Sequence, residues 1–180
     1  MKRFSNMTSA ARCGVFVACL AVVGSACPQT PPQLEARPAQ RSAAATRAPI
    51  LAAARAGQRI VAVGDHGVIL LSDDEGKQFR QAQAVPVSTQ LTAVSFADER
   101  RGWAVGHWGV VLATVDGGEH WTVQRKVTSE DRPLFSVLFV NEREGVAVGL
   151  WSLVLRTEDG GNTWQTVELP PPPEGGRADR

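Results

Sequence analysis

Between residues 50 and 169 the chain alternates short apolar runs with turn residues. In one stretch the runs are Leu91-Thr92-Ala93-Val94-Ser95-Phe96, Trp103-Ala104-Val105-Gly106, Val110-Val111-Leu112-Ala113-Thr114 and 121–126. All are shorter than eight residues and are closed by glycine, aspartate or asparagine, which predicts four short strands and argues against helices. The second and third runs are apolar nearly throughout instead of alternating. That pattern suits strands in a sheet covered on both faces.

The group of four recurs. Val61-Ala62-Val63-Gly64, Trp103-Ala104-Val105-Gly106 and Val146-Ala147-Val148-Gly149 stand 42 and 43 positions apart. A polar phrase keeps the same offsets: Ser72 to Phe79, Thr114 to Trp121 and Thr157 to Trp164. Four antiparallel strands per repeat of roughly 40–50 residues make the blade of a β-propeller, whose neighbouring sheets cover one another. The fold class expected is therefore all-β: a partial propeller of three four-stranded antiparallel blades. In the first unit the opening strand is only Ile50-Leu51-Ala52-Ala53-Ala54, a poorer strand former.

The polar phrase falls in the hairpin between the third and fourth strands and reads as a structural clasp. Its carboxylate (Asp74, Asp116, Asp159) can accept backbone N–H groups of the turn, and its hydroxyl (Ser72, Thr114, Thr157) can bond locally. Its glycine (Gly76, Gly118, Gly161) can take positive φ. Its closing aromatic (Phe79, Trp121, Trp164) is expected to fold into the gap between blades. Three copies in one frame serve the repeat, not a single catalytic site.

The ends of the chain are different in kind. Residues 1–26 read as a signal peptide: Lys2, Arg3 and Arg12, an apolar run from Val15 to Val23, then Gly24-Ser25-Ala26. The run is too short to span a bilayer. The protein is expected to be exported. Cys27, directly after the small residues, is a candidate lipid acceptor, which would leave the protein periplasmic or tethered to a membrane. Residues 27–49 read as a disordered Pro/Ala-rich linker, 50–169 as the repeat domain and 170–180 as a disordered tail.

Charge and composition narrow the function. The whole chain has 19 basic and 18 acidic residues; losing Lys2, Arg3 and Arg12 with the leader leaves 16 basic, a balance of −2. Such a chain carries no electrostatic footprint for nucleic acid. Of three cysteines, Cys13 and Cys19 lie in the leader, so neither a disulfide framework nor a thiolate metal site is expected.

The string from Trp103 through Gly106, Gly109, Thr114, Asp116, Gly117 and Gly118 to Trp121 resembles the BNR or Asp-box repeat. The version is that of the Ycf48-like photosystem II assembly factors and their relatives in non-photosynthetic bacteria. The resemblance covers about residues 50–169. It implies a non-enzymatic propeller outside the cytoplasm that binds a membrane-protein subunit or envelope complex, with no cofactor. The turn motif is shared with sialidases and other glycosidases, so a carbohydrate-binding or glycoside-hydrolase-like protein is the alternative. Departures are Phe79 for tryptophan, Glu75 for the first glycine of the pair and Ser152 for a turn glycine. Members of the family are closed seven-bladed rings, whereas three blades cannot close the usual four to eight. A homodimer completing a six-blade propeller, or a shortened relative, would answer this.

Candidate partner-binding residues are His66, His107, Trp108 and Trp151, with Leu150, in the turns between second and third strands. Adjacent exposed tryptophans favour contact with protein or sugar. The opposite face carries 98–101 and 141–144, a mixed-charge rim. No catalytic or metal set is expected. The histidines lack ligand partners at metal spacing. The chain has no tyrosine for a sialidase nucleophile, and Asp65, Glu130 and Asp131 lie in no recognisable two-carboxylate setting.

Overall fold

A computed structural model describes residues 37–127 and 129–170. The expected leader, Cys27, most of the tail and the linker as far as residue 36 lie outside the described residues.

Among the described residues, twelve strands form three sheets of four. Blade 1 is β1 (Ile50–Ala56), β2 (Arg59–Gly64), β3 (Ile69–Ser72) and β4 (Arg80–Gln81). Blade 2 is β5 (Leu91–Phe96), β6 (Gly102–Gly106), β7 (Val111–Thr114) and β8 (Thr122–Arg125). Blade 3 is β9 (Leu134–Phe139), β10 (Gly145–Gly149), β11 (Leu153–Thr157) and β12 (Gln165–Thr166). In each sheet the spatial order follows the chain and all pairings are antiparallel. Consecutive pairing is the low-cost solution for strands joined by short turns. The Ala-rich β1 nevertheless runs seven residues, because β2 offers it a full antiparallel ladder. Tertiary pairing overrides weak propensity there.

The apolar runs of blade 2 are buried on both faces because it is sandwiched between blades 1 and 3. Val61, Val63, Ile69 and Leu71 of blade 1 meet Leu91, Ala104, Leu112 and Trp121 of blade 2. The other face of blade 2, with Trp103, Val105 and Val111, meets Leu134, Phe139, Ala147 and Leu155 of blade 3. Trp103 stacks on Phe139 with ring centroids 3.4 Å apart. Polar latches close each seam. Arg59 of blade 1 donates to Gly117 O and to Glu119 of blade 2, while Arg101 of blade 2 pairs with Glu142 of blade 3.

Part of the expected linker lies on blade 1. Ala39 N donates to Val85 O, and the Gln81 amide both donates to Gln40 O and accepts from Ser42 N. A short 3-10 turn, Ala45–Arg47, brings Ala45 and Ala48 over Ala62, Val68 and Leu70. Small side chains suit this strap, because they approach a sheet face closely. The strap occupies the face of blade 1 that a ring-closing blade of a second copy would need.

Candidate functional site

The clasp of each hairpin is built the same way. In blade 2, Thr114 Oγ1 donates to Asp116 Oδ1 at 2.9 Å and accepts from Gly118 N at 3.0 Å; Asp116 Oδ1 also accepts from His120 N at 3.0 Å. Blade 1 uses Ser72, Asp74, Gly76 and Gln78, and blade 3 uses Thr157, Asp159, Gly161 and Thr163. These bonds favour the ionised carboxylates. The Thr163 hydroxyl and N–H hold Asp159 down to about 2, and the Gln78 N–H and Ser72 hydroxyl lower Asp74. Burial pushes Asp116 up, but the His120 N–H and ring and the Thr114 hydroxyl outweigh it, and the net shift is downward. Each carboxylate is thus an acceptor committed to its own turn.

The closing aromatics do not share one environment. Trp121 is 4% exposed, donates from Nε1 to Gly118 O and meets Phe96 edge-on. Trp164 meets Phe139 edge-on. Phe79 is 38% exposed, which corrects the expectation that all three fill a gap between blades. Among the described residues no blade stands against that side of blade 1, so there is no gap there for Phe79 to fill.

The turns between second and third strands hold the candidate binding residues. His66, Trp108 and Trp151 share one repeat position and have φ of 53°, 59° and 56°. Left-handed backbone at a bulky residue carries strain, which tends to collect at functional surfaces. Their side chains differ in fate. His66 is open to solvent beside Asp65. Trp108 is half-buried: Val127 N donates to its carbonyl, and Asp131 Oδ1 accepts its N–H. Trp151 is 66% exposed. Leu150, half-buried, donates from its N–H to Pro133 O.

Between blades 2 and 3 the structure gathers a group. His107 Nδ1 lies 2.8 Å from Asp131 Oδ2. The Arg132 guanidinium lies 5.8 Å from the Trp151 ring centroid, a cation–π contact. Arg132 Nε is buried with no hydrogen-bond partner. Arg125 donates to Gly109 O, and burial together with the Arg132 charge lowers its pKa. Two guanidinium groups thus lie near one another, Arg132 beside an exposed indole and with its Nη1 3.7 Å from Glu130 Oε1. The chain pattern missed Arg125 and Arg132. The only signal for them was the charged run Glu130-Asp131-Arg132 ahead of Pro133, where Asp131 proves to be a hydrogen-bonding brace.

The opposite rim is largely self-satisfied. Asp98 accepts the N–H groups of Arg100 and Arg101, and the Arg101 N–H foremost holds its carboxyl below the usual range. Arg100 and Arg143 donate to carbonyls of Val115 and Glu158 in the clasps of their own blades. Among the described residues, no group of three or more His, Cys, Asp or Glu is placed to hold a metal ion.

Fold and turns together define a partial β-propeller of Asp-box repeats. The sequence profile of the family described as "Photosynthesis system II assembly factor YCF48" matches residues 80–175, and the chain belongs to that family. Among solved structures it is similar to one described as "YCF48 bound to D1 peptide", with TM-score 0.59 and 22% identity, over 66% of this chain and 40% of that one. It is also similar to "YCF48 from Cyanidioschyzon merolae", with TM-score 0.56 and 20% identity, over 66% of this chain and 37% of that one. The chain thus spans well under half the length of these structures. A comparison with curated proteins finds no match.

Proposed function

We propose that this protein is a non-enzymatic binding module of the photosystem II assembly-factor type, which holds a peptide segment of a membrane-protein subunit during assembly. The observation that carries the reading is family membership combined with a structural neighbour described as bound to a D1 peptide. The group formed by Arg125, Arg132 and Trp151 is the docking place, with an acidic or terminal carboxylate as the recognised chemistry. Arg132 supplies a partly exposed guanidinium and Trp151 an exposed flat face. The leader motif, with Cys27 after Gly24-Ser25-Ala26, supports export and a lipid tether. Radiolabelled palmitate incorporation that vanishes in Cys27→Ala would check the tether.

Binding is tested by fluorescence anisotropy with a labelled D1 peptide, against the same peptide with its carboxylates amidated. Binding that falls at least tenfold on amidation and in Trp151→Ala supports the reading. Equal binding of both peptides sinks the carboxylate site. No peptide binding, with retention of a glycan instead, sinks the assembly-factor reading.

A further inference from the structure

The outward face of blade 1 follows the pattern of the repeat but is covered in another way. Ala62, Val68 and Leu70 stand where Ala104, Val110 and Leu112 stand in blade 2. Those three are buried against the sheet of blade 1. Among the described residues, Ala62, Val68 and Leu70 are instead covered by the strap, through Ala45 and Ala48.

One residue breaks the repeat to hold the strap. Gln81 pairs with Leu70 at the position that Val123 and Thr166 hold against Leu112 and Leu155. It is 9% exposed, and both ends of its amide are used on the main chain of the strap. Nε2 donates to Gln40 O at 3.0 Å, and Oε1 accepts from Ser42 N at 3.0 Å. A carbonyl and the N–H two residues on point the same way in an extended chain, so this amide reads backbone as a neighbouring strand would. The two bonds flank Arg41, which is exposed. Ala39 N adds a further main-chain bond to Val85 O at 2.9 Å. Main-chain bonds of this kind hold an extended segment whatever its outward side chains, and the inward ones set what is accepted.

The inward side chains are small. A Cβ on Gly67 would lie 3.2 Å from Ala39 Cβ, so the strap runs close against that turn. Beside Phe79 the fit is loose. A cavity of about 440 Å³ opens between Ser42, Ala43, Ala45 and Thr46 of the strap and Phe79 and Gln81 of the blade. The strap underfills its seat, and a segment with a larger apolar residue at that point would bury more.

We infer that the outward face of blade 1 is a peptide-binding groove for an extended, small-residue segment of a partner polypeptide, and that residues 39–48 occupy it as a stand-in. Gln81 reads the main chain of the bound segment and Phe79 forms the side wall. The strap is able to leave because it is short, buries mainly methyl groups and is bonded to the blade through few main-chain groups. Its local opening is far more frequent than unfolding of the sheet beneath. The groove lies on blade 1 and the proposed carboxylate group on the seam between blades 2 and 3, so either reading can fail alone.

The test uses the full chain and a fluorescein-labelled synthetic peptide with the sequence of residues 37–48. Ala45→Glu sets a charge where a methyl is buried and unseats the strap. The parent binds in trans only through its open fraction, so fluorescence anisotropy should show at least about tenfold tighter binding to the variant. Adding Gln81→Leu should abolish that gain. In the parent, hydrogen exchange read by mass spectrometry should be at least about 100-fold faster in residues 39–48 than in β2 and β3. No gain in an Ala45→Glu chain with native far-UV circular dichroism overturns the inference, as does a gain that survives Gln81→Leu. A strap as protected as β2 and β3 overturns it by itself, even where the variant fails to fold.

Discussion

The closing aromatic of the clasp offers a test of whether blades are held together through it. Phe79, Trp121 and Trp164 occupy one repeat position, yet among the described residues only the latter two have a preceding blade to pack against. Replacing Trp121 by alanine removes a side chain that is 4% exposed, an Nε1–H bond to Gly118 O at 2.8 Å and an edge contact with Phe96. A buried aromatic covers roughly 150–250 Å², and its truncation in a core costs about 3–5 kcal/mol. At 38% exposure Phe79 has no partner blade and leaves no sealed cavity, so its truncation should cost about 1–2 kcal/mol. Urea unfolding followed by far-UV circular dichroism, which does not depend on the tryptophan removed, reads both. The expected gap of about 2–3 kcal/mol corresponds to roughly 10 °C in Tm for a domain of this size. Equal losses at the two positions would refute the reasoning. The aromatic would then serve its own hairpin, and the inter-blade account of the repeat would fall.

Other outcomes follow from the same geometry. Thr114→Val removes the donor to Asp116 and leaves the buried Gly118 N–H without its acceptor; about 2–3 kcal/mol should be lost in the same urea assay. Ser152→Gly should raise stability by about 0.5–1 kcal/mol, because Ser152 sits at φ 54° where Gly67 and Gly109 stand in the other blades. Asp159 has a depressed folded pKa, so its contribution is complete above the unfolded value near ~4 and is lost as pH falls toward about 2. Asp73 and Glu119 are likewise lowered, first by the hydrogen bonds of Arg59 and Arg80 respectively, so acid should also loosen the seam between blades 1 and 2. The urea midpoint should therefore be flat with pH above ~4 and fall below it. A midpoint that rises in acid would contradict this.

Much of the architecture was legible because it is local and repeated. The apolar runs, the turn residues and the polar phrase each depend on a few neighbours in sequence, and three copies at a near-constant interval multiply a weak signal. The strand boundaries and the clasp residues could therefore be read from the chain. Other features depend on what lies beside a segment in space. Ala39 to Ala48 reads as linker by composition, since alanine and serine bury little, yet that smallness lets it lie flat against blade 1. Phe79 and Trp121 are equivalent in sequence and differ only in whether another sheet stands opposite. Arg125 and Arg132 come from a strand and a loop with no shared motif, and only the seam between blades 2 and 3 brings them together beside Trp151. The sequence by itself thus determined the blade, because a four-stranded antiparallel unit is specified by short-range pattern. Only the tertiary structure decided which faces are covered, which side chains meet and where the arc is left open, because burial is a property of neighbours distant along the chain.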